Sequence, residues 1–260
     1  MRRRIAILLF AFLALCSAFG AAATAAPKAW RPDMRAALKY VHHRHGIIAF
    51  AVRTDHHLWA YHGGRTQPCA SVFKAMALVT YLDHPKVRGR KLNAHDRALL
   101  YPMITRSSDH ATDQVVRYVG LGRVRALARR VGMRRFKTNR IWGRSHIDAY
   151  DQTKFWLHID DFTVARHRAY ALHLLASVIR PQRWGIAQVR PNGWKLYFKS
   201  GWGLGTGWVD HQAALLTRGK ERVAITILTH LDGSHPYGKA TLRGLAARLV
   251  RGLDRAQLVR

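Results

Sequence analysis

Ser71-Val72-Phe73-Lys74-Ala75-Met76-Ala77-Leu78-Val79 sets a hydroxyl and an amine three residues apart at the head of an apolar run. At i and i+3 of one helix the two side chains project from the same face. A serine hydroxyl is a weak nucleophile at neutral pH and needs an adjacent base. Lysine serves as that base only when burial or nearby positive charge depresses its pKa. S-x-x-K is common by chance, so its weight rests on what stands downstream. Ser107-Ser108-Asp109 follows a helical stretch over 94–105, and Lys199-Ser200-Gly201-Trp202 continues the strand-like Trp194-Lys195-Leu196-Tyr197-Phe198.

The succession S-x-x-K, S-x-N, K-[ST]-G is the signature of penicillin-recognising serine enzymes. Here Asp109 stands where asparagine is usual. With two motifs intact, one altered and all in order, the chain resembles the class A serine β-lactamase-like family over roughly residues 30–255. The resemblance implies an α+β fold: a mixed antiparallel sheet built from N- and C-terminal strands, with an inserted helical region. It also implies roles. Ser71 attacks, Lys74 takes its proton, Ser107 relays it to the leaving group, and Lys199 with Ser200 holds a substrate carboxylate. The backbone N–H groups of Ser71 and of Trp202, which follows Gly201, form an oxyanion hole, where each such donor is worth a few kcal/mol. Cationic Lys199 helps keep Lys74 neutral. Asp109 cannot donate as asparagine does unless protonated, so it alters substrate choice or raises the Lys74 pKa.

Read singly, these residues have plainer uses. Ser107 and Asp109 are equally N-cap residues for a helix starting near Ala111, and Ser200 and Lys199 fit an ordinary strand residue and a solvated charge.

Efficient class A enzymes activate the deacylating water with a glutamate between the second and third motifs. The single glutamate of this chain, Glu221, lies beyond the third. Asp148, Asp151, Asp160 and Asp161 fall in the interval, but Asp148 and Asp151 read better as N-cap and first-turn residues of a helix carrying Phe155, Trp156 and Ile159. Acylation without rapid deacylation is the expectation.

Arg2, Arg3 and Arg4, the apolar run Ile5 to Phe19 and the small residues ending Ala23-Thr24-Ala25 have the form of a cleavable export signal over 1–25. That leaves 26–260 as one hydrolase domain in a secreted or cell-envelope protein. Cys16 departs with the signal, and Cys69, two residues before Ser71, reads as a buried small hydrophobe. The formal charge of +30 implies anionic partners such as cell-wall polymers. No nucleic-acid module is recognisable and the eight tryptophans are dispersed. The sixteen histidines show no ligand spacing, so no metal and no cofactor is expected.

Periodicity predicts a helix over 34–42, a hairpin over 47–52 and 57–61, helices over 71–82, 94–105, 111–119 and 123–131, strands over 195–200, 207–216 and 222–228, and a last helix over 239–253. The functional reading is a serine hydrolase acting on an envelope amide or ester, peptidoglycan-like or β-lactam. The alternative is a catalytically silent envelope-binding protein of the same fold.

Overall fold

The computed structural model describes residues 29–203, 207–256 and 258. The export-signal reading of 1–25 and the turn at 204–206 lie outside them. The strands are β1 (Ile47–Arg53), β2 (Leu58–Tyr61), β3 (Gln67–Pro68), β4 (His146–Ile147), β5 (Lys195–Gly203), β6 (Val209–Arg218) and β7 (Glu221–His230). The helices are α1 (Met34–His42), α2 (Phe73–Leu82), α3 (Pro85–Arg88), α4 (Ala94–Thr105), α5 (Asp109–Val131), α6 (Ala149–Leu157), α7 (Ile159–Phe162), α8 (Ala165–Ala176) and α9 (His235–Leu249).

One sheet runs β2-β1-β7-β6-β5, with every neighbouring pair antiparallel. Chain ends thus meet at its centre, where Ile48 faces Thr229 and Val52 faces Ile225. Strand alternation splits the core in two. Val223, Ile225 and Ile227 of β7, with Phe50 and Phe198, pack against α1 and α9. Ala224 and Leu228 turn to the opposite face, where α2, α4, α5, α6 and α8 assemble. At the centre of that helical layer every residue of α2 is buried, Lys74 included. A helix that is largely apolar on every side is stable only when surrounded, and Lys74 is carried into the interior with it.

Caps account for most helix starts. Asn93 and Asp96 form a reciprocal capping box at α4. Ser108 caps α5 and Asp148 caps α6, each accepting from the backbone N–H three residues on. The two helices predicted over 111–119 and 123–131 run on from one another within α5, with a break at Gly120, whose φ of 74° departs from helical geometry. The last helix starts at His235, four residues before the predicted Lys239, and ends at Leu249. Ser234 caps it and Pro236 occupies its first turn, where a missing N–H costs nothing. Gly238 fits within it because a Cβ there would strike the carboxylates of Asp210 and Asp232.

Candidate active site

The nucleophile candidate sits on a strained turn. A 3-10 turn, Ala70–Val72, leads straight into α2, so Ser71 precedes the α-helix rather than opening it. Ala70 has a φ of +43°, in the left-handed region that residues with a Cβ avoid. Several contacts fix this backbone. Cys69 N–H donates to the Ser145 carbonyl at 2.7 Å. The Cys69 thiol, fully buried and raised in pKa by that burial, donates to the Trp142 carbonyl at 3.2 Å. β5, the sheet edge, presses on the turn from the other side. A Cβ on Gly201 would lie 2.8 Å from Ser71 N and 2.9 Å from Val72 N, so this close approach requires glycine.

Lys74 Nζ lies 2.7 Å from Ser71 Oγ, 2.7 Å from the Ser107 carbonyl, 2.5 Å from Asp109 Oδ1 and 3.2 Å from Ser107 Oγ. Burial lowers its pKa, against the opposing pull of Asp109. The expectation that Asp109 raises it therefore describes one force and not the net direction. Lys199 Nζ donates to Ser107 Oγ at 2.9 Å and to the Ser200 carbonyl at 2.9 Å. Burial and then the neighbouring Lys74 depress Lys199 well below an ordinary lysine. Ser107 thus stands between two amines, and its own hydroxyl proton is left to be given away. Its φ of +59° turns it into this cluster, while the next residue, Ser108, takes the capping duty. Asp109 is the first residue of α5 and its side chain is 74% exposed.

Ser71, Lys74, Ser107, Asp109 and Lys199 are therefore brought together, with Gly201 against them. Ser200 is oriented differently from the sequence expectation: it is fully buried, and its hydroxyl accepts from Gln212 Nε2 at 2.9 Å. His211, opposite Gly201 in the ladder, serves the frame. Its Nδ1 accepts from Thr229 N–H at 3.1 Å, so Nε2 carries the proton and donates to the Pro68 carbonyl at 2.8 Å. Burial holds its pKa down at about 4.

A cleft of about 450 Å³ opens over Ser71, lined by Asp109, Asp113, the Ile141–Arg144 segment, Trp202 and Gly203. Trp142 went unnoticed in the sequence. Its ring centroid is 4.9 Å from Lys74 Nζ, and its Nε1–H donates to Asp113 Oδ1 at 2.7 Å. No motif marks it, whereas Asp113 was findable four residues after Asp109 on one helix face. The interval aspartates lie elsewhere. Asp148 is buried at its cap, its pKa raised to about 6 by that burial. Asp151 accepts from Arg135 N–H at 2.8 Å, Asp160 pairs with Arg222, and Asp161 meets His158 at 3.3 Å. Glu221 pairs with Arg218 at 2.8 Å on the β6–β7 turn.

Residues 89–253 match the Beta-lactamase2 family, described as the beta-lactamase enzyme family. That span holds Ser107, Asp109 and Lys199 but begins after Ser71 and Lys74, which the fold supplies. No curated protein matches the chain. Solved structures similar to it include a β-lactamase from Sphaerobacter thermophilus (TM-score 0.71, 15% identity, 85% of this chain and 96% of that one). The chromosome-encoded β-lactamase of Vibrio parahaemolyticus is similar too (0.73, 15%, 86% and 99%), as is a β-lactamase from Xanthomonas campestris (0.72, 14%, 85% and 97%). Identity this low speaks for the fold; the family follows from the sequence match over 89–253. With a buried amine on a serine hydroxyl at the centre of that fold, the chain belongs to the beta-lactamase enzyme family and is a serine hydrolase.

Proposed function

We propose that this protein is an exported serine hydrolase that forms an acyl-enzyme at Ser71 on an amide or ester of peptidoglycan-like or β-lactam type and releases it slowly. The observation that carries the reading is the 2.7 Å contact between Ser71 Oγ and Lys74 Nζ, inside a cluster that also holds Ser107 and Lys199. In acylation the Ser71 proton passes to Lys74 as Oγ attacks the carbonyl. Developing oxyanion charge meets the Ser71 N–H on the turn and the Trp202 N–H on the edge strand β5. Ser107 then protonates the departing nitrogen or oxygen.

The Ile141–Arg144 side of the cleft supports the slow-release part of the proposal. A deacylating water needs a base within hydrogen-bond reach, and the Ile141–Arg144 wall offers an indole, which only donates. The carboxylates lining the cleft, Asp109 and Asp113, are engaged by Lys74 and Trp142 respectively.

We also propose that the protein binds an anionic wall polymer, a reading supported by charge. Between Asp113 and Asp148 the chain carries ten arginines and lysines and no carboxylate, and this tract runs into the cleft wall at Arg144. An anionic wall polymer is the complementary partner. The test is intact-mass spectrometry after incubation with a penicillin and with an activated ester, beside Ser71→Ala. A lasting adduct on the parent protein alone supports the proposal. No adduct and no turnover with either reagent overturns it.

A further inference from the structure

Lys74 Nζ faces acceptors on three sides, and the side toward Asp109 is the one that solvent reaches. The Lys74 side chain has no exposed surface, whereas that of Asp109 is 74% exposed. A neutral amine and an ammonium both satisfy the Ser107 carbonyl and the Asp109 carboxylate; the local charge decides between them. Asp109 at 2.5 Å favours the ammonium, as do Asp113 one turn along α5 and the Trp142 ring at 4.9 Å. Burial favours the amine. Buried Cys69 is the remaining titratable neighbour on the turn, and Arg144 adds a positive charge to the cleft wall.

We propose that Asp109 is a positioning residue acting through Lys74: in the empty cleft it holds the lysine as an ammonium, and a substrate that brings a hydrogen-bond donor to its carboxylate releases the base. The proposal rests on Ser71 being the nucleophile. An ammonium has no lone pair and cannot take the Ser71 proton. Once substrate shares the Asp109 charge, burial prevails and Lys74 gives up a proton to solvent. The Ser71 O–H bond then breaks toward Nζ, the Oγ–carbon bond forms, and the leaving group takes its proton through Ser107. Asp109 neither gains nor loses a proton. A substrate carrying an ammonium on that side offsets the Asp109 charge more fully than one offering only an amide N–H, and is acylated faster.

The experiment measures the Ser71 acylation rate against pH for the parent protein, Asp109→Asn and Asp109→Ala. Benzylpenicillin and ampicillin are the probes, sharing one nucleus and differing by an ammonium on the acyl side chain. Removing an opposing charge at this distance moves a pKa by about 1–3 units. The acid limb of both variants should therefore fall by at least about one pH unit, making them about 10-fold faster below it. Ampicillin should lead benzylpenicillin in the parent and lose that lead in both variants. An unmoved limb, or an ampicillin advantage that survives in both variants, overturns the proposal. A 15N NMR titration of Lys74 in the substrate-free proteins separates the two readings. If no protein is acylated, the hydrolase reading fails, while a Lys74 pKa lower in Asp109→Asn still supports the latch and an equal one overturns it.

Discussion

The two walls flanking Ser71 are built from different chemistry. On the α5 side, Ser107 and Asp109 converge on Lys74, the contacts to which the proposed mechanism assigns proton transfer. On the side of residues 141–145, contacts are structural: a thiol and a backbone N–H tie the loop to the turn, and an indole fills the space beside Lys74. On the proposed mechanism, the site is equipped for the first half of an acyl-transfer reaction and not for the second. The proposed mechanism sets the two halves on separate elements of one fold.

Lys74→Met is the harshest test of the first wall. Loss of the general base should cut Ser71 acylation by about 10²–10⁴-fold, read as adduct formation by mass, with a cooperative thermal melt showing that the fold survives. The second wall is tested by single-turnover kinetics on the unmodified protein. Deacylation should lag acylation by about 10²-fold or more, the low end of what a positioned base contributes; a burst-free steady state at equal rates would erase the distinction between the walls. Gly201→Ala asks whether β5 must touch the turn. The new Cβ, 2.8 Å from Ser71 N, forces the strand outward, and a shift of about 1 Å should cost about 10²-fold in acylation.

The mildest test concerns the frame, through His211→Gln. The folded His211 pKa is about 4 and the unfolded value near 6.5, so its neutral form contributes stability that is full above pH 6.5 and lost as pH falls toward 4. The parent-minus-variant difference in unfolding free energy should shrink by on the order of 1–3 kcal/mol across that window. A difference independent of pH would mean that His211 is not held neutral.

The elements that strong local signals announce were legible. α1 and α4 run over Met34–His42 and Ala94–Thr105 as the pattern predicts, because an N-cap and an apolar stripe agree at each. The order of the three motifs likewise pointed to the residues that meet at Lys74. What escaped depends on backbone conformations that no side chain advertises. Ala70 and Ser107 adopt left-handed φ without being glycine, and this moves the helix start past Ser71 and the capping duty to Ser108. Trp142 escaped because its importance comes from proximity across 68 residues of chain rather than from spacing. Ser200 fits the motif in sequence, yet Gln212 on the paired strand engages its hydroxyl, a partner that only the sheet register reveals.

Cys69 adds a clock to the molecule. A thiol with no exposed surface, two residues from the nucleophile and bonded to the opposite wall, reacts with an alkylating reagent only when the turn and the loop separate. Its alkylation rate therefore counts how often the catalytic pocket comes apart while the rest of the domain stays folded. Occupancy of Ser71 by a slow-leaving acyl group should make that clock run slower.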